Sequence, residues 1–186
     1  MASASLNIPQ TKPASERIDG RLERKMSPFG LHAQVQLAIA AALRAWAIER
    51  GVGRVGTEWD YDLTPPGDRT HRIVPDVAFL AYDRVAYDDD EAAQIPRIAP
   101  NVAIEILSEG QSVERSQRRI AILLACQAEL LVFVDPRARE AWLVDRDGTR
   151  HLRDDDVIAH PALSGFHVRL QDCFEKPPPH HTPTSS

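Results

Sequence analysis

From His32 the apolar residues Val35, Ile39, Leu43 and Trp46 recur at helical spacing, with Ala38 and Ala42 between them. That pattern predicts a helix through Glu49, stopped by Gly51 and Gly53. Arg54 to Leu63 alternates through Val55, Trp59, Tyr61 and Leu63 and predicts a strand, closed by Pro65-Pro66-Gly67. Two continuous apolar runs follow, Ile73 to Leu80 and Asn101 to Ser108, and such runs fit strands covered on both faces. The polar connection between them, Tyr82 to Arg97, holds the acids Asp88 to Glu91 and reads as a solvated loop. Ser112 to Gln127 places Val113, Ile120, Leu123 and Leu124 on one face of a second helix. Leu130 to Val134 is a further buried strand, and Ala141 to Val144 pairs with His151-Leu152 through the turn at Asp147-Gly148. Helix, strands, helix and strand in this order predict an α/β fold with a central mixed sheet flanked by helices.

Each of the two continuous runs carries one carboxylate, Asp76 and Glu105, where a buried strand should carry none. An ionised carboxylate in an apolar layer persists only when something pairs with it, and a divalent cation shared by two of them is one such partner. The plain alternative is that one or both acids lie at strand ends and face water.

Composition narrows the picture. A chain of 186 residues, 43% hydrophobic and 26% charged, suits one domain with a substantial core. Residues 1–13 and 176–186 are rich in Ser, Pro and Thr and predict disordered tails around a domain spanning 14–175. His180 and His181 lie in the second tail, where a solvated pair is the default reading. A net charge of -5 means that any polyanion must be met by a local basic patch. Cys126 and Cys173 show no CxxC spacing and read as reduced thiols. The first ten residues lack a basic start and an apolar stretch, and no uninterrupted apolar run reaches membrane-span length. A cytoplasmic protein without membrane contact is the expectation. Gly-rich phosphate loops, GxSxG and HExxH motifs are absent from the sequence.

The ordered set Ile18-Asp19-Gly20, Lys25-Met26-Ser27-Pro28, His32, Thr57-Glu58-Trp59, Pro75-Asp76, Glu105-Ile106-Leu107-Ser108, Val134-Asp135-Pro136 and Leu163-Ser164-Gly165-Phe166 resembles the Uma-type putative restriction endonucleases, a branch of the PD-(D/E)XK nuclease superfamily. The resemblance runs over roughly residues 16–175. It implies a restriction-endonuclease-like core in which Asp76 and Glu105 hold Mg²⁺ or Mn²⁺, with the carbonyl of Ile106 as a third ligand. It also implies a metal-dependent endonuclease acting on DNA. Such nucleases are frequently dimeric, because two strands need two sites, so a homodimer is a further expectation.

The lysine of the signature is missing. Two residues after Glu105 stands Leu107, and no lysine occurs between Lys25 and Lys176. The resemblance places Arg119, on the following helix, in the lysine's position, with Arg118 beside it. An arginine supplies fixed positive charge but stays protonated and does not reproduce lysine geometry. The alternative function is therefore a catalytically weakened or inactive nuclease fold that serves as a nucleic-acid-binding or protein-interaction module. Glu16, which matches a Glu-x-x-Asp-Gly run, is a candidate for the additional acid of such sites, ahead of Glu23; an exposed acid in a charged segment is the plain reading of both. His32, Gln111 and Arg115 are candidate nucleic-acid contacts. For His32, capping or packing at the helix start is the alternative. For Arg115 and Arg118 the alternative is a solvated or salt-bridged helix surface, as the i,i+4 pair Glu114 and Arg118 suggests. Glu58 either reaches the cleft or faces solvent.

Overall fold

The computed structural model describes residues 15–24, 30–108 and 113–176, without the side chains of residues 15, 23, 24 and 113–115. Gln111, the side chains of Glu23 and Arg115, His180 and His181, and the predicted tails apart from Lys176 lie outside the described residues. The chain runs β1 (Ser15–Ile18), β2 (Arg21–Arg24), α1 (Gly30–Arg50), β3 (Gly53–Thr57), β4 (Tyr61–Leu63), β5 (His71–Ile73), β6 (Val77–Ala81), α2 (Asp90–Gln94), β7 (Val102–Ile106), α3 (Val113–Ala125), β8 (Leu130–Asp135), β9 (Glu140–Val144), β10 (Thr149–Arg153), β11 (Val157–Ile158) and β12 (Val168–Arg169).

Six strands form one sheet in the order β10-β9-β8-β7-β6-β3, antiparallel throughout except for the parallel pair β7 and β8 that α3 connects. A second, antiparallel sheet has the order β2-β1-β5-β4. The pleat of β7 sorts its residues. Val102, Ile104 and Ile106 join a core with Val35, Ile39 and Leu43 of α1, while Ala103 joins Ile122 and Leu123 of α3 together with Tyr61, Leu63 and Ile73 of the smaller sheet. Glu105, between Ile104 and Ile106, is thereby turned toward the α3 side. The Trp46 ring packs edge-on against Phe79 and Phe166, and its indole N–H donates to the Ser164 carbonyl at 3.3 Å, which fixes α1 on the sheet.

α1 departs from one expectation. At 21 residues, with a mean hydropathy of 1.2 over its most apolar window, it meets the length and composition of a membrane span. A core helix meets the same criteria, and the stripe Val35, Ile39 and Leu43 is fully packed inside the protein.

Two predicted strands are each divided between the sheets. The alternating segment Arg54 to Leu63 breaks at Glu58, whose φ of 50° lies in the left-handed region, so β3 stays in the large sheet and β4 enters the small one. The run Ile73 to Leu80 breaks at Val74-Pro75-Asp76, because Pro75 has no N–H to continue a ladder. The acidic connection is also more ordered than expected, since the Asp89 carboxylate caps α2 by accepting from Ala92 N–H at 2.9 Å.

Gly53 pairs with Ala81 at the start of the β3–β6 ladder, and a Cβ built there would meet the Leu80 carbonyl oxygen at 2.5 Å and Phe79 Cε2 at 2.6 Å. Gly53→Ala is therefore expected to destabilise the protein by about 1–3 kcal/mol through overpacking, read as a lower urea midpoint with an unchanged slope.

Candidate functional site

The site lies where β5 hands over to β6. Val77 pairs with Ile104, so continuing the antiparallel register by one step sets Asp76 opposite Glu105. Directly opposed residues of adjacent strands project to the same face, which is how two distant acids become neighbours. Both are buried. The Asp76 carboxylate accepts the Ile106 N–H at Oδ2, 2.7 Å away, so the main chain of Ile106 enters the site through its amide.

Arg119 closes the arrangement from α3. One terminal nitrogen of its guanidinium donates to Glu16 Oε1, and the other donates to Glu105 Oε1 and, at 3.3 Å, to the Val74 carbonyl. The same Glu16 oxygen accepts the Val74 N–H at 3.0 Å. Glu16, expected as an exposed acid or as an additional site carboxylate, is buried beneath β1 with its charge matched to Arg119. Burial opposes the guanidinium charge, but Glu105, Glu16 and Asp76 outweigh that cost and hold Arg119 above its ordinary pKa.

His32 is buried, with Nε2 3.5 Å from Asp76 Oδ2 and Nδ1 3.0 Å from Ser108 Oγ. Both ring nitrogens thus face the site rather than solvent. Gln36, which sequence reasoning passed over, donates from Nε2 to the Asp76 carbonyl at 2.8 Å and to Glu58 Oε1 at 3.1 Å. The signal for it was its i,i+4 spacing from His32 on the predicted helix.

The side chain of Glu114, the expected i,i+4 partner of Arg118, lies outside the described residues. Arg118 reaches Asp19 in the β1–β2 turn, at 2.8 Å, and Asp68 at 2.6 Å. Asp19, Asp68 and His71 offer ligand atoms within 4.8 Å of one another, close enough to hold a metal ion. Arg118 already supplies a cation there. The Asp19 N–H donates to His71 Nδ1 at 3.3 Å, so Nε2 carries the ring proton and donates to Asp68 Oδ2 at 3.1 Å. Hydrogen bonding to Arg118 is the largest cause of an Asp68 pKa held at about 2.

The model of the Uma2 family, described as putative restriction endonuclease, matches residues 3–171 of the chain. The chain belongs to the Uma2 family. A crystal structure of a putative nuclease belonging to DUF820, from Anabaena variabilis, superposes with a TM-score of 0.77 at 27% identity, over 91% of this chain and 94% of that one. The fold is accordingly restriction-endonuclease-like, and the family and this neighbour support a nuclease role. A cryo-electron microscopy structure titled as the DrdV–DNA complex aligns with 80% of this chain and 14% of its own at 19% identity, with a TM-score of 0.39. No curated protein matches.

Two predictions come from the arginine contacts of this Uma2 protein. Arg119→Met leaves two buried carboxylates without their cation and is expected to cost about 3–5 kcal/mol; adding Glu16→Gln should recover part of the loss in the same urea titration. The Asp68 pKa is lowered in the folded state, so its contribution is complete above the ordinary value of 3.8 and is lost as pH falls through about 2. The stability difference between the wild type and Asp68→Asn should therefore shrink across that acid window, as followed by denaturation at each pH.

Proposed function

We propose that this Uma2 protein is a metal-dependent endonuclease that hydrolyses DNA phosphodiester bonds, with Asp76 and Glu105 holding Mg²⁺ or Mn²⁺. The observation that carries the reading is the buried pair Asp76 and Glu105, which the antiparallel register of β6 and β7, continued by one step, sets opposite each other. The Asp76 and Glu105 donors are all carboxylate oxygens, the chemistry of a hard divalent cation rather than of a thiolate or imidazole metal. Such a cation supplies neutralisation of charge on phosphate oxygens and a lowered pKa for water.

The chain's own groups have separate tasks in this reading. The Ile106 N–H orients Asp76. Arg119 orients Glu105 and contributes fixed positive charge to the site, while Glu16 holds Arg119 in place. Because a guanidinium does not lose its proton near neutral pH, Arg119 takes no proton from water.

A second reading, a weakened or inactive fold that binds nucleic acid or protein, is favoured by one contact: Arg119 already engages Glu105, in the position where the family resemblance expects a lysine. Cleavage of supercoiled plasmid and of single-stranded DNA with Mg²⁺ or Mn²⁺ divides the two. The nuclease reading expects cutting by the wild type and a loss of roughly 100-fold or more in Asp76→Asn and Glu105→Gln, the scale on which removing transition-state charge stabilisation acts. An inert wild type with cutting restored in Arg119→Lys supports the second reading. Equal cutting by wild type and Glu105→Gln refutes the site.

A further inference from the structure

His32 and Gln36 are separated by four residues on α1 and so project from one side of the helix, and each addresses a different part of Asp76. Gln36 Nε2 donates to the Asp76 carbonyl at 2.8 Å, and the Glu58 N–H donates to the same oxygen at 3.3 Å. At the other end of the residue, Oδ2 accepts from Ile106 N–H at 2.7 Å and stands 3.5 Å from His32 Nε2. The second ring nitrogen of His32 meets Ser108 Oγ at 3.0 Å, two residues beyond the end of β7. Asp76 is thus hydrogen-bonded at its main chain by Gln36, and its carboxylate stands in contact with His32 of the same helix.

The backbone explains why a grip is needed. Asp76 precedes β6 and follows Pro75, which brings no amide hydrogen to the ladder. On the β3 side the ladder ends at the pair Thr57 and Val77, because Glu58 turns into the left-handed region and its chain departs for the second sheet. The amide of Gln36 joins the Glu58 N–H on the Asp76 carbonyl where the strand stops. Its two N–H groups have two acceptors, the Asp76 carbonyl and Glu58 Oε1 at 3.1 Å, which also fixes which end of the amide is nitrogen.

We infer that His32 and Gln36 are positioning residues for Asp76: α1 clamps the acid at the point where the two sheets part and so sets the geometry of the cation site. The inference deepens the metal-dependent nuclease reading and rests on it for its functional consequence. It assigns His32 to Asp76 and Ser108 rather than to a phosphate. Groups that orient a metal ligand change affinity without touching the ion, typically by 10–100-fold.

The experiment uses the full chain and the variants Gln36→Leu, Gln36→Met and His32→Ala, with Gln34→Leu on the exposed side of α1 as control. In metal-free protein, amide hydrogen exchange is expected to rise about tenfold at Glu58 in the Gln36 variants and at Ile106 in His32→Ala, with β8 amides unchanged. Mn²⁺ titrated by electron paramagnetic resonance should then bind about 10–100-fold more weakly in the variants than in the wild type and control. Unchanged exchange at both amides overturns the clamp, as does equal acceleration across β8, which would mark a global loss of stability. Nitrogen coupling from a histidine in the pulsed spectrum of bound Mn²⁺ overturns the role of His32 as a positioning residue. A wild type that binds no Mn²⁺ removes the nuclease reading, and exchange still decides whether α1 clamps Asp76.

Discussion

One buried guanidinium organises this protein. Arg119 projects from α3 into a buried layer that holds Glu16, Asp76 and Glu105, and its two terminal nitrogens reach Glu16 on β1 and Glu105 on β7. The same group donates to the Val74 carbonyl, in the segment that joins β5 to β6. A helix, both sheets and the crossover segment therefore meet at a single side chain. Its charge is tolerated because the surrounding acids stabilise it more than desolvation opposes it. The dependence is mutual, since neither Glu16 nor Glu105 could stay ionised in that layer without a cation.

The place where this happens follows from a backbone event. Two neighbouring strands of the large sheet end at the same level, one at Glu58 and the other at Asp76, and the chain on each side moves to the smaller sheet. A sheet interior offers no room for a carboxylate with spare oxygen lone pairs. A parting of two sheets does, because the ladder that would consume the backbone groups has stopped and side chains replace it. Glu16 accepting the Val74 N–H is such a replacement, and Gln36 adds a side-chain donor to the Asp76 carbonyl beside the Glu58 N–H.

Much of this was legible in the residues. The spacing of Val35, Ile39, Leu43 and Trp46 specified α1, and the continuous apolar runs specified β6, β7 and β8, because burial on one or both faces writes itself into periodicity. Asp76 and Glu105 stood out as acids in those runs. The sheet exchange did not, since a strand that changes sheets keeps its alternation and only Pro75 marked one of the two breaks. The β1–β2 hairpin was passed over although Asp19-Gly20, with φ of 50° and 81°, is the dipeptide a type I′ turn selects. The described partners of Arg118, Asp19 and Asp68, are 99 and 50 residues away in sequence, beyond the reach of any helical pattern. Periodicity sorts neighbours on one element and carries no signal for ion pairs that join separate elements.

An arginine at position 119 has a physical meaning in this arrangement. A lysine presents one nitrogen on a flexible stem and can follow a single charge, whereas the planar guanidinium presents two terminal nitrogens at a fixed separation. Here that separation spans Glu16 and Glu105, so the arginine binds β1 to the site as well as supplying charge. Replacing it by lysine would shorten the bridge to one point and release one of the two acids from its cation. The position therefore serves anchoring and electrostatics together, and the demand for anchoring is a reason for this chain to carry arginine there. Asp76 is free of that demand, because its carboxylate is oriented by the Ile106 amide and its main chain by α1. The two acids of the site are thus held by different means, Glu105 by the charge of Arg119 and Asp76 by hydrogen bonds with the backbone and with α1.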